Sequence, residues 1–226
     1  MRSVFKIASA SAAAICFAGL LSGAHASDAT SWTGCYVGVN GGYGWGHDTL
    51  KGDPTDPDGF LIAKVNVHGG LIGGQVGCNY QFADDWVVGL QGADDLASLS
   101  GNARDGYVDE APTYFTDHAK ITNLGSVTAR IGMTPWKPDT LFYVKGGWAW
   151  AHNTVSNNYY PIVAHQNRSG WTLGAGVEWA ASEDVSTFVE YDYYDFGTKI
   201  AAYDYYYHAP VTQTANTVIV GINYHL

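Results

Sequence analysis

Six histidines, His47, His68, His118, His152, His165 and His208, lie in or beside polar stretches of this 226-residue chain. A neutral imidazole ligates metals and serves as an axial haem ligand. If those stretches converge in space, they form a candidate site for haemin or a metal, although no His-x-His or His-x-x-x-His pair is present. A second set, Arg130, Lys145, Glu178, Glu190 and Asp192, offers charges of both signs within alternating segments, and pairing suits them better than general acid–base work. Asp53, Asp56 and Asp58 in KGDPTDPDG (51–59) carry oxygen ligands. Their spacing is not that of a calcium loop, and two prolines make the stretch a rigid, solvated turn. The Tyr-rich AYDYYYHAP (202–210) offers contact area for packing or for a surface ligand. GVNGGYG and GGLIGG resemble pieces of phosphate-binding loops, but neither opens a helix after a strand. No nucleophile–histidine–carboxylate motif is recognisable, so the chain reads as non-catalytic, with no metal site assigned and no cofactor unless the histidines hold haemin.

The elements that must hold these residues are strands. The chain has 28 Gly, 16 Tyr, 8 Trp and 8 Phe, with only 14% charged residues against a usual ~25%. Glycine and aromatics are poor helix formers. Collagen is excluded by the lack of a three-residue glycine period, and charge-driven disorder by the 46% hydrophobic content. Period-2 alternation recurs in eight segments, near 34–46, 68–82, 85–98, 119–132, 140–152, 169–181, 184–197 and 214–226. In the last, Val218, Val220, Ile222, Tyr224 and Leu226 share one face. The connections 47–67, 99–118, 153–168 and 198–213 are long and polar, while 83–84, 133–139 and 182–183 are short. Long and short connections therefore sit at opposite ends. An even number of antiparallel strands with that asymmetry is the pattern of an all-β, eight-stranded, up-and-down transmembrane β-barrel of the outer-membrane type.

Residues 1–26 read as a secretory signal peptide, with Arg2 and Lys6 before an apolar run and the cleavage motif Ala24-His25-Ala26. The barrel domain is then 27–226. Removing Arg2 and Lys6 takes 11 basic residues to 9 against 21 acidic, a formal charge of −12. That argues against a nucleic-acid partner.

A soluble barrel of lipocalin type shows the same alternation with the faces reversed, so composition must choose. The minority faces carry Arg130, Lys145, Glu178, Glu190, Asp192, Gln75, Gln91 and Asn40 among many glycines. Such residues suit a narrow lumen filled by side chains. The apolar faces carry Trp45, Trp86, Trp148, Trp150, Trp171, Trp179, Tyr80 and Tyr224 near segment ends, as interfacial girdles require. The expectation is a membrane barrel with lipid outside and no large open pore. Cys35 and Cys78 fall on the outward faces of the first two strands, at the same end of one hairpin. In an exported chain they are expected to form a disulfide.

The stretches SWTGCYVGVNGGYGWG (31–46), GGLIGGQVGCNYQF (69–82), GWTLGAGVEWA (170–180), EYDYYDFG (190–197) and VIVGINYHL (218–226) span nearly the whole chain after the signal. They resemble the small outer-membrane β-barrel proteins of alpha-proteobacteria, the "porin family" or outer-membrane beta-barrel-domain proteins. The resemblance implies an abundant surface protein of structural or antigenic type, with haemin or metal binding and small-solute passage as alternatives. It implies insertion by the barrel-assembly machinery, which reads the alternating last strand. A terminal Leu226 stands where an aromatic is more usual. Host or surface ligands would be met through the loops. Intact mass of the exported protein is expected to begin at Ser27. A mass retaining residues 1–26 would remove the signal-peptide reading.

Overall fold

The computed structural model describes residues 31–51, 61–83, 85–105, 115–136, 138–157, 163–202 and 208–226. Eight strands follow in chain order: β1 (Gly34–Lys51), β2 (Leu61–Phe82), β3 (Trp86–Asp105), β4 (Phe115–Met133), β5 (Thr140–Asn157), β6 (Val163–Ala180), β7 (Val185–Ala202) and β8 (His208–His225). Each pairs antiparallel with its sequence neighbour, and β8 returns to pair with β1, closing the barrel. Among the described residues there is no helix.

Register follows the alternation. Val37, Val39, Ile72, Val76, Leu90, Val127, Val144, Leu173, Val220 and Ile222 are exposed on the outer face. Aromatics bracket this apolar band. At the short-turn end lie Tyr80, Trp86, Trp179 and Tyr224, all exposed. At the other end Trp45 meets Tyr191 (6.4 Å between centroids), Trp148 meets Trp150 (5.0 Å) and Trp171 meets Tyr193 (5.5 Å). The short turns are tight, and Ala83 takes a left-handed φ of 53° to connect β2 to β3.

The strands run further than the alternation predicts. Segments expected to end at 46, 98, 152 and 197 end instead at Lys51, Asp105, Asn157 and Ala202, and their partners begin correspondingly early. Most of the residues expected in long connections are therefore strand. The cause is an inversion of polarity along most of the strands. Inside the aromatic band, apolar side chains face out. Beyond it they face in: Val65, Val67, Ala97, Leu99, Ala119, Ile121, Ala151, Phe196 and Ala215 are buried in the lumen. Their neighbours Asn66, His68, Ser98, Ser100, Lys120, His152 and Asn167 face outward and are exposed. The contrast at one strand is sharp: Leu96 is 70% exposed, whereas Leu99 is 0%. A strand of 18 residues spans roughly 45 Å of height at the usual rise and tilt, against an apolar band of about 25 Å. The excess stands in water, where the ordinary rule of apolar inside and polar outside applies again.

The lumen is consequently layered. Trp32, Val87, Leu141 and Tyr143 pack at the short-turn mouth. Charged and amide side chains fill the middle. An apolar plug that includes Val67, Leu71, Leu99, Ile121, Leu124, Tyr194 and Phe196 fills the far half, and Phe188 and Ile219 of the same cluster reach down beside the charges. Interior glycines admit the large neighbours. A Cβ on Gly77 would strike the Tyr36 ring, and one on Gly176 or Gly221 the rings of Tyr143 or Phe188.

Leu99→Ala is expected to cost about 2–5 kcal/mol as a core truncation, whereas Ser98→Ala on the outer face should stay within about 0.5 kcal/mol. Urea unfolding in detergent micelles measures both. Equal costs would contradict the inverted polarity of this region.

Candidate functional site: the filled lumen

The five charged residues expected to pair do meet, on four strands. Arg130 of β4 reaches Glu178 of β6 at 3.1 Å, both fully buried. Lys145 of β5 sits 2.5 Å from Glu190 and 3.2 Å from Asp192, both on β7. Period-2 geometry explains the arrangement, because positions 130, 145, 178, 190 and 192 all fall on inward faces. The barrel's width then allows a long cation to bridge to a carboxylate across the lumen.

Of the residues that complete the network, Gln75 and Gln91 were expected on inward faces, and the others were not singled out by spacing. The Arg130 guanidinium lies between the rings of Tyr36 and Tyr143, 4.9 Å from each centroid. Its Nε donates to Asn79 Oδ1 at 2.8 Å. Glu178 Oε1 accepts from Ser186 Oγ at 2.5 Å and from Asn223 Nδ2 at 2.6 Å. Tyr143 OH donates to Glu190 Oε2 at 2.8 Å. A chain of amides links the far wall: Tyr36 OH donates to Gln91, Gln91 to Gln75 and Gln75 to Asn223, at 3.0, 3.0 and 2.7 Å. Each of these positions falls on the inward, buried face of its strand, and that parity was the available signal. Partner choice across the lumen carries no sequence signal.

Beyond the aromatic band lies a second polar layer. Asn153 Nδ2 donates to Gln213 Oε1 at 2.7 Å, and Arg168 NH1 to the Val211 carbonyl at 2.9 Å. Burial pushes the Asp48 carboxyl above its ordinary range, opposed by the Arg168 charge and a hydrogen bond to Gln213. At the opposite mouth Trp32 donates from Nε1 to the Pro138 carbonyl at 2.8 Å and packs against His225 at 6.0 Å. The lumen is therefore corked at one end, charge-paired in the middle, apolar beyond and polar again near the far end.

The histidines are distributed around the wall. His68 and His152 are exposed and His47 is half-buried, all on outward positions of β1, β2 and β5. His47 pairs with Asn66 at 2.7 Å and His152 with Asn123 at 3.1 Å. His68 lies 6.4 Å from the Tyr43 ring. The backbone places His118, His165 and His208 on β4, β6 and β8, and their side chains lie outside the described residues. So do Asp53, Asp56, Asp58 and residues 203–207 of the Tyr-rich stretch. Among the described residues no three His, Cys, Asp or Glu side chains are grouped so as to hold a metal.

Cys35 and Cys78 stand directly opposite each other on β1 and β2 and are disulfide-bonded, with Cα atoms 3.9 Å apart. The bond lies beside the closing seam, where the Leu226 N–H donates to the Cys35 carbonyl at 2.9 Å. On β8, Val218, Val220, Ile222 and Tyr224 are exposed on the outer face, as is Leu226 just past its end.

The sequence matches the outer membrane protein beta-barrel domain over residues 13–225. It is 30% identical over 213 residues to a 31 kDa outer-membrane immunogenic protein of Brucella melitensis, covering 87% of this chain and 85% of that one. It is 28% identical over 171 residues to a 25 kDa outer-membrane immunogenic protein of Brucella abortus, covering 75% and 68%. Among solved structures it is similar to Ail, the attachment invasion locus protein of Yersinia pestis (16% identity, TM-score 0.43, 86% of this chain and 99% of that one). It is also similar to OprG of Pseudomonas aeruginosa (13% identity, TM-score 0.47, 86% and 97%). The chain belongs to the outer membrane protein beta-barrel domain family, and its place is the outer membrane.

Glu178→Ala leaves Arg130 buried without its carboxylate and is expected to destabilise the barrel by about 3–5 kcal/mol. The double substitution Arg130→Met, Glu178→Met should recover much of that loss. Denaturant unfolding of wild type, both singles and the double provides the cycle. A double variant as unstable as the sum of the singles would contradict the pairing.

Proposed function

We propose that this family member is a structural, surface-presented barrel whose lumen does not conduct. Short turns face the periplasm and the long strand extensions stand outside the cell. The observation that carries the reading is the filled lumen, with Trp32 at one mouth, the Arg130–Glu178 and Lys145–Glu190 pairs in the middle and the Leu99–Ile121 plug beyond. An open channel needs a continuous wet path, and each of these layers opposes one. Ions meeting the apolar plug would lose hydration without compensation.

The same reading gives the outer face its two roles. Between the aromatic girdles it solvates in lipid tails. Above them it offers small polar side chains of eight extended strands as the surface seen from outside, in keeping with the immunogenic relatives. The role is non-catalytic. The outward alternation of Val218, Val220, Ile222, Tyr224 and Leu226 supports recognition of β8 by the barrel-assembly machinery.

In planar bilayers the purified, oxidised protein is expected to give no stable nanosiemens-scale steps. Steps of that size, persisting after repurification, would overturn the closed-lumen reading.

A further inference from the structure

The wall of the barrel is not paired to its full height everywhere. β5–β6 pairing continues to Ser156↔Val163, and β7–β8 pairing to Ala202↔His208. Between these hairpins, β6–β7 pairing runs from Ala180↔Ser186 only to Trp171↔Asp195 and then stops. Residues 163–170 of β6 and 196–202 of β7 are strand on both walls of a slot, paired on their far sides and not with each other.

The sequence supplies the cause. The β7–β8 register shifts between Asp195 and Thr198. There Gly197 takes a left-handed φ of 64°, and its N–H donates to Asp195 Oδ1 at 2.8 Å. A bulge of this kind bends and twists its strand, which turns the upper half of β7 away from β6. Gly170 stands at the fork, where a Cβ would strike the Asp195 carbonyl and the Phe196 Cα. A lysine side chain, not a backbone bond, crosses the slot: Lys199 Nζ donates to the Asn167 carbonyl at 2.9 Å.

We propose that this slot is a strand-addition site that takes an extended polypeptide segment. Two features select that occupant. Successive residues of a strand turn their backbone groups to opposite sides, so the Asn167 carbonyl facing β7 places the backbone groups of 165 and 169 in the slot as well. Repeating N–H and C=O groups at strand spacing are matched by another backbone. The outward side chains beside the slot, Asn167, Ser169 and Thr198, are polar and exposed, which disfavours an acyl chain. The slot opens just above the Trp171–Tyr193 contact of the aromatic girdle, on the water side. It is not a door to the lumen, because behind it Arg168 reaches from β6 to the Val211 carbonyl of β8. The assignment rests on the orientation given above only for the side from which a peptide arrives, and it is independent of whether the barrel conducts.

Residue-resolved amide exchange on the purified, micelle-embedded barrel tests it. Without peptide, amides 165, 167 and 169 should exchange much faster than 166, 168 and 170, which face β5. Adding an alternating Lys-Val heptapeptide should slow the three slot amides by about tenfold or more. An analogue N-methylated at alternate residues, with the same charge but without the ladder donors, should leave them unchanged. Ser169→Pro removes one slot-facing donor and should weaken the protection while the β5-facing amides stay protected. Slot amides already protected in the free protein would overturn the proposal. So would no protection by the heptapeptide, or equal protection by both peptides.

Discussion

Every backbone donor and acceptor that crosses the apolar layer of a membrane must find its partner within the protein. In this chain the requirement is met by closing β8 onto β1, and the other features follow from that closure. Closing on eight strands fixes a narrow lumen, and a narrow lumen leaves little room for water to solvate what faces inward. The interior must then be packed like a core and charge-balanced like a buried site. Tyr36, Tyr143 and Phe188 fill space that Gly77, Gly176 and Gly221 leave vacant. Arg130 and Lys145 are retained only because Glu178, Glu190 and Asp192 stand across from them.

The barrel obeys two solvents along one strand. Where lipid surrounds the wall, the apolar side chains face out and the polar ones are trapped within. A few residues further on water surrounds it, and the assignment reverses at Val67, Leu99 and Ile121. Backbone pairing continues across the boundary because the ladder is indifferent to which face is apolar. The side chains record where the membrane ends. The reversal also ties stability to the non-conducting reading, since the plug that fills the water-exposed half of the barrel is the same cluster that blocks the path.

Completeness of the wall is what lipid demands, and above the girdle that demand lapses. This is where the β6–β7 ladder stops and where Gly197 and Gly170 make room for the divergence. An unpaired edge inside the apolar band would carry an unsupportable desolvation cost. The same edge in water is tolerated and leaves the barrel with a surface unlike the rest of its rim. Below, the Cys35–Cys78 bond ties the first hairpin beside the closing seam, on the side where the wall must be complete.

The strand number, the inward and outward faces within the apolar band, the disulfide partners and the set of charges that meet in the lumen are all legible in the chain. All of these follow from period-2 alternation and hairpin order, which are local. Alternation could not show how far the strands run, because the inversion at the membrane boundary makes residues such as Asn66 and Ser100 read as loop. It expected a small and polar interior, and so did not anticipate an apolar plug built from Leu99, Ile121 and Phe196. The pairing of Arg130 with Glu178 rather than another carboxylate, the sandwich between Tyr36 and Tyr143, and the open seam between β6 and β7 were decided by tertiary structure alone. Barrel tilt and shear set which inward residues face each other across the lumen, and no local pattern in the chain encodes that distance.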